Sequence, residues 1–469
     1  MTPVLAGSGI GEASAFELAA PRASYAKNQH TITLSRHVRI IDRSGGLVQN
    51  PRPEDLATLI HEYVHYLHNY STLAGLTQLS LHHQLGLHLS TTVDSATKEY
   101  FAAGGKDRSD QAFRTTLDRL YLLDGDHELP VSGTAYRFTH GGETYEQNGK
   151  VLVIKTAIRV AESKWRNHLV RVGLRAIEES IAFELQCVAA RALGGAEPKP
   201  PMYPYLALRK LRDAYCPRAR LRDVLRVAVL AMNVPSMAQF LVNGLVALGH
   251  HRNRRSARLH RNQRATLERE KDCCLLLLSG APYREAANAL PAMFKDRGLL
   301  EDAAAKSRSL IIDLVQLRLR GPWFEIEAVE NLTGSAAELR GLLEGFLPCE
   351  VIQEFGDGTS TLMTFGTVTD DEVAARRAMQ GHIHMVNCHL TPAGLRATQT
   401  VEAETDEGNR CPFFGMCDLE LRHRDPTVCR VSPWRRGSRT PGAKTCWYGH
   451  GAAMTFATGP RPTLGGAQV

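Results

Sequence analysis

Residues 53–68 read Pro53-Glu54-Asp55-Leu56-Ala57-Thr58-Leu59-Ile60-His61-Glu62-Tyr63-Val64-His65-Tyr66-Leu67-His68. The stretch opens on a proline and two acids, the residues a first helical turn favours. Proline gives up an N–H that has no intrahelical partner there, and carboxylates meet the positive end of the helix dipole. Leu56, Leu59, Ile60, Val64 and Leu67 then recur at helical spacing, so a helix is expected to start within Pro51–Asp55 and run through His68. Upstream, Thr31–Leu34 and Val38–Ile41 alternate and are rich in β-branched residues, which predicts strands. Ser44-Gly45-Gly46 is read as a turn. Downstream, Leu73–Leu89 continues as a second helix.

Positions four apart on a helix share one face. His61 and His65 therefore present two imidazoles to one point, as two corners of a tetrahedral zinc site require. Glu62 sits beside them and can lean over the same pocket without ligating. There it is the candidate general base for a water whose pKa the metal lowers to about 7. A catalytic zinc keeps three protein ligands and one open position. The extended pattern HExxHxxGxxH is absent, because Ser71 stands where its third histidine would be. His68 is read as an outer-shell or surface residue. A second acid-bearing segment, Arg175-Ala176-Ile177-Glu178-Glu179-Ser180-Ile181-Ala182-Phe183-Glu184, lies inside an otherwise apolar helical pattern. Carboxylates among alanine and isoleucine need a partner, since an unpaired buried charge is costly.

The HExxH helix followed by Glu179-Ser180-Ile181-Ala182 resembles the gluzincin group of zinc metallopeptidases. In that group HExxH pairs with a glutamate on a later helix, often within E-S/G-x-A. The resemblance covers these two helices only, and Glu179 follows His65 by 114 positions, so a large insertion must loop out between them. It implies a zincin-like catalytic core with zinc on His61, His65 and Glu179, Glu178 being the fallback, and with Glu62 as general base. It also implies a donor that steadies an oxyanion, for which His168, Tyr203 and Tyr205 are the candidates. A peptide substrate would lie along an edge strand, either Thr31–Leu34 or Val38–Ile41.

The fold class expected is α+β, predominantly α-helical. Residues 1–27 form a loose lead-in, 28–200 the catalytic domain, 201–346 a helical domain, 347–404 a small α/β segment, and 405–460 a Cys-rich metal-binding module. Within these, 102–150 is read as irregular except for a small hairpin at Tyr136–Phe138 and Val151–Lys155. Asn167–Leu193 is read as one long helix, and Val351–Thr369 as β-like around Gly356-Asp357-Gly358.

Cys411, Cys417, Cys429 and Cys446 place four thiols in a stretch poor in aliphatic residues. Such a module lacks a core of its own, so a metal would supply folding energy. Structural zinc is the expectation and an iron–sulfur cluster the alternative. Trp434, Arg435, Arg436, Arg439, Lys444, Trp447 and Tyr448 surround these cysteines with the basic and aromatic residues that bind nucleic acid or a protein partner. His382, His384, Cys388 and His389 alternate as on a half-buried strand, with a second metal site as the other reading.

The chain carries a net charge of +7, and 250–264 reads HHRNRRSARLHRNQR without one acid. The default for such a run is a solvated face, and the alternative is contact with nucleic acid or an acidic partner. No segment has the roughly 18 consecutive apolar residues of a membrane helix, and the N-terminus lacks the pattern of a signal peptide. A cytoplasmic protein without a membrane partner is expected, its ten cysteines reduced. Two functions compete: a zinc-dependent hydrolase acting as a peptidase on a peptide or protein, and a non-catalytic, zinc-stabilised helical protein that binds nucleic acid or a protein partner.

Overall fold

Thr31–Leu34 pairs in parallel with Glu350–Gln353, so early and late parts of the chain share one sheet. The computed structural model describes residues 23–455 apart from 27–30, 93–107, 126–136, 148–149, 164–165, 201–203, 235, 250–264, 266, 270, 273–279, most of 333–348, 365–367, 392–393, 397, 404–408 and 437–445. The basic run 250–264 and Tyr203 thus lie outside the described residues.

The shared sheet has the order β1 (Ala23–Ala26), β2 (Thr31–Leu34), β6 (Glu350–Glu354), β7 (Ser360–Thr364). β1 runs antiparallel to β2, and β7 antiparallel to β6. The hairpin read around Gly356-Asp357-Gly358 is present as β6 and β7, and Gly358 takes a φ of 79° in its turn, which glycine tolerates without a Cβ penalty. Two strand expectations are corrected. β2 is an inner strand, and β1, from the expected lead-in, occupies the edge. Val38–Ile41 forms no strand beyond a single bridge from Ile41 to Leu47, because the Gln353 side chain takes its backbone groups. The Gln353 amide donates to Val38 O at 2.8 Å, and its carbonyl accepts from Ile40 N at 3.2 Å.

The rest is mostly helical. α1 (Pro53–Ser71) carries the HExxH sequence and is buried from Asp55 to Ser71 without interruption. The helix can be buried all round because it packs on β1 and β2, on α2 (Leu73–Thr92), on α4 (Leu174–Ala192) and on the long helix Leu299–Arg320. Polar residues at both of its ends find partners inside. Asp55, fully buried, accepts from the Arg52 guanidinium at 2.9 and 3.0 Å and from Arg39 N at 3.1 Å. At the other end, His68 is fully buried rather than on the surface. Its Nε2 lies 3.0 Å from Glu325 Oε1, which Arg318 also meets at 3.0 Å.

α3 (Arg108–Asp124) replaces the irregular segment expected there. Phe113, Leu117 and Leu120 form an i, i+4, i+7 stripe that packs on Leu81 and Leu85 of α2. The expected hairpin is a three-stranded antiparallel sheet of β3 (Arg137–Gln147), β4 (Lys150–Ser163) and β5 (Arg166–Arg171). β5 takes residues 167–171 out of the long helix expected from Asn167, and α4 begins only at Leu174. Gly173 caps it where a Cβ would lie 2.3 Å from the Asp124 backbone.

Beyond α4, helices run Ala207–Tyr215, Leu221–Ala231, Met237–Gly249, Ala281–Met293, Leu299–Arg320 and Phe324–Glu330. His382, His384, Cys388 and His389 lie on a helix, Asp370–His389, and not on a strand. Thr369 starts it with a capping box, its hydroxyl accepting from Glu372 N while Glu372 accepts from Thr369 N, and three acids fill the first turn. No helix among the described residues is long and apolar enough to cross a membrane.

Candidate metal centre

Three side chains from α1 and α4 converge. His61 Nε2 and His65 Nε2 are 3.2 Å apart, and Glu179 Oε2 lies 3.3 Å from the first and 3.4 Å from the second. Among the described residues this is the group of three metal-ligating atoms that closes within 4.8 Å. The edges of this triangle can be compared with a tetrahedral zinc site. Bonds of about 2.0–2.1 Å set neighbouring ligand atoms about 3.3–3.4 Å apart. The three donors thus stand at the spacing of three corners of one small tetrahedral ion.

The pair of histidines follows from four-residue spacing on a buried helix, and Glu179 from the packing of α4 against α1. Glu178, the neighbouring acid, is buried but does not join the group. Burial raises the Glu179 carboxyl, yet the two imidazoles outweigh it and hold it well below the usual carboxylate range. Burial lowers His65, and Glu179 outweighs that, so the imidazole is raised. Among the described residues, Glu179 Oε2 is buried without a hydrogen-bond partner. Two nitrogen lone pairs and a carboxylate oxygen aimed at one point are a donor set that a divalent cation satisfies. Among the described residues, His61 Nδ1 and His65 Nδ1 are buried and meet none of the ring-orienting hydrogen-bond partners common around metal-bound histidines.

Glu62 is buried beside the group. Its Oε2 accepts a hydrogen bond of 2.6 Å from the backbone N–H of Tyr25 on β1. The Tyr25 hydroxyl donates to Asn69 Oδ1 at 2.9 Å, and its ring meets Tyr66 edge-on. Sequence reasoning missed this contact, because a backbone donor carries no residue signature.

Of the candidate oxyanion donors, Tyr205 comes near, its ring centroid 6.0 Å from that of His61. Burial, then Glu179 and Glu62, push the phenol up to about 12, so it stays a donor at neutral pH. Ser180 explains its position. The Ser180 hydroxyl donates to Pro204 O at 2.8 Å and accepts from Leu208 N at 3.3 Å, clamping the 204–208 segment to α4. His168 lies on β5, where side chains are not described, and His68 points away to Glu325 and Arg318.

The four C-terminal cysteines also come together. Cys411 has Cys446, Cys429 and Cys417 as charge neighbours, and its N–H donates to Cys429 O at 2.9 Å. Burial pushes the Cys411 thiol well above the usual range and raises Cys417 and Cys446. The histidines of Asp370–His389 do not gather. His382 Nδ1 meets Thr455 Oγ1 at 2.8 Å, His384 Nδ1 meets the Tyr448 hydroxyl at 3.0 Å, and His389 Nδ1 donates to Met385 O at 2.8 Å.

No family model matches this chain, and no curated protein or solved structure does either, so its own geometry carries the functional reading.

Proposed function

We propose that the protein is a zinc-dependent hydrolase, a peptidase of gluzincin type with a zincin-like core, that cleaves a peptide bond with an activated water. One observation carries this reading: the triangle of His61 Nε2, His65 Nε2 and Glu179 Oε2, with edges of 3.2, 3.3 and 3.4 Å. His61, His65 and Glu179 would hold the ion. When bound, zinc supplies Lewis acidity that polarises a carbonyl and lowers the pKa of water to about 7.

The remaining work falls to the chain. Glu62, next to His61, accepts the proton of the attacking water and passes it to the leaving amine. Its carboxylate already accepts a backbone amide N–H, that of Tyr25, the same group a substrate's leaving nitrogen presents. Tyr205, a neutral phenol near His61, donates to the developing oxyanion. The apolar residues of α1 and α4 keep bulk water from the site, which strengthens each of these contacts.

A non-catalytic binding protein has no use for a general base at position 62, so one variant separates the readings. Glu62→Gln should keep metal and fold while peptide hydrolysis falls about 10²–10⁴-fold, the usual contribution of a general base. Absence of hydrolysis of a peptide library by the zinc-loaded wild type would remove the peptidase reading and leave the binding one, and hydrolysis at an unchanged rate in Glu62→Gln would remove Glu62 as the base.

A further inference from the structure

Cys411, Cys417, Cys429 and Cys446 stand apart from the residues of the proposed hydrolytic site, and their surroundings are specific. Each sulfur faces an N–H donor. Phe413 N–H serves Cys411 and Leu419 N–H serves Cys417. Gly449 N lies 3.4 Å from Cys446 Sγ, and Arg436 Nε lies 3.3 Å from Cys429 Sγ. A sulfur that only accepts is best served as a thiolate, because a thiol is itself a donor. Around the sulfurs, Phe413, Phe414, Trp434 and Tyr448 are buried and exclude water. As thiolates the four would repel one another in such a shell, so losing their protons needs a cation among them.

Spacing decides which cation. A single tetrahedral zinc holds four sulfurs at about 2.3 Å, which sets them about 3.8 Å from one another. Among the described residues, which include all four cysteines, the ligand group that closes within 4.8 Å is the His61–His65–Glu179 one. The sulfurs are close enough to act on one another electrostatically, yet no three of them draw together as one zinc ion would hold them. A cluster of several irons puts each thiolate on its own metal and therefore holds the sulfurs further apart. N–H donors to the sulfurs and a dry aromatic shell are also the features by which proteins set the properties of such clusters.

We propose that Cys411, Cys417, Cys429 and Cys446 hold an iron–sulfur cluster, one thiolate to each of four irons, and not the structural zinc that their sequence spacing first suggests. Each thiol releases its proton to solvent as its sulfur bonds iron. The cluster pins the Cys411–Cys417 loop, the short helix Pro426–Val431 that carries Cys429 and the start of the last helix, Trp447–Thr455. That helix lies against Asp370–His389 so closely that a Cβ on Gly451 would sit 1.9 Å from Ala378 O.

The test uses the full chain purified without oxygen, with iron, acid-labile sulfide and zinc measured per chain and visible absorption recorded before and after dithionite. Iron and sulfide in equal amounts, about four of each, with absorption that dithionite bleaches, are expected. Cys417→Ala and Cys429→Ala should lose both iron and sulfide while His61→Ala keeps them. Zinc without sulfide, lost in Cys417→Ala and kept in His61→Ala, would overturn the proposal in favour of structural zinc. A chain that takes up neither metal, even after anaerobic reconstitution with iron and sulfide, would overturn it in favour of plain buried thiols. If the cysteine variants do not fold, the iron, sulfide and absorption of the wild-type chain decide alone.

Discussion

Replacing Glu179 is the sharpest perturbation of the proposed metal site. Glu179→Ala removes one of three donors and the only negative charge among them. Glu179→Asp keeps the charge and draws the carboxylate back by about 1.5 Å, one C–C bond, against a tolerance of about 0.2 Å for a working site. Loss of even an outer partner weakens metal binding about 10–100-fold, so for a direct ligand 100-fold is a floor, worth about 2.7 kcal/mol. At free zinc set to 100 times the wild-type Kd, binding stabilises the wild type by about 2.7 kcal/mol. A variant weakened 100-fold gains only about 0.4 kcal/mol under the same conditions. The assay is thermal unfolding of chelator-treated protein with and without zinc, beside a direct chelator competition. Both variants should lose most of the zinc-induced rise in midpoint, while Glu178→Ala should keep it. A wild-type zinc response in Glu179→Ala would refute the ligand assignment, and with it the argument from the 3.2–3.4 Å edges.

Two further expectations concern the same core. Tyr205→Phe should keep zinc and lower kcat about 10²–10³-fold, the usual loss of one oxyanion donor, and steady-state kinetics with an unchanged kcat would exclude the phenol from that role. Glu325 is fully buried; burial raises its carboxyl, but Arg318 and His68 outweigh that and hold it at about 2, below the ordinary 4.5. Because the folded value is the lower one, its stabilisation is full above pH 4.5 and is lost as pH falls toward 2, about 3 kcal/mol in all. Glu325→Gln, which strands the buried Arg318 charge, should cost about 3–5 kcal/mol near neutrality. Urea unfolding should show the gap between wild type and variant closing between pH 4.5 and 2, and parallel curves would contradict the pairing.

Much of this site could be read before any coordinates. A four-residue spacing of histidines needs only the helical period to become a shared face, and Pro53 to Val64 supplies that period plainly. A carboxylate among alanine and isoleucine demands a partner, and the resemblance of Glu179-Ser180-Ile181-Ala182 to the E-S/G-x-A pattern is what singles out Glu179 from Glu178. What could not be read depends on groups without sequence identity or on distant partners. The Val38–Ile41 stretch has strand composition, but the side chain of Gln353, more than 300 residues away, takes its backbone bonds. The edge position fell to β1 because β6 claims the other side of β2. In 108–124 the flanking glycine pairs masked a clear stripe at Phe113, Leu117 and Leu120. The alternation of His382 and His384 mimicked a strand, while the capping residues Thr369 and Glu372 had already committed the segment to a helix.

The parallel pairing of β2 with β6 also sets a timetable. Glu350 follows Thr31 by 319 positions. At about 5–20 residues per second of synthesis, that is a wait of roughly 15–65 s. Helix Leu299–Arg320, which covers another side of α1, emerges only shortly before. Glu179 follows His65 by just 114 positions and is made in roughly a third of that time. On a ribosome the three side chains of the proposed metal site therefore all exist long before the sheet on which α1 packs is complete. Meanwhile a helix destined to be buried on every side waits with its leucines and tyrosines in water, an exposed apolar surface of the kind chaperones cover.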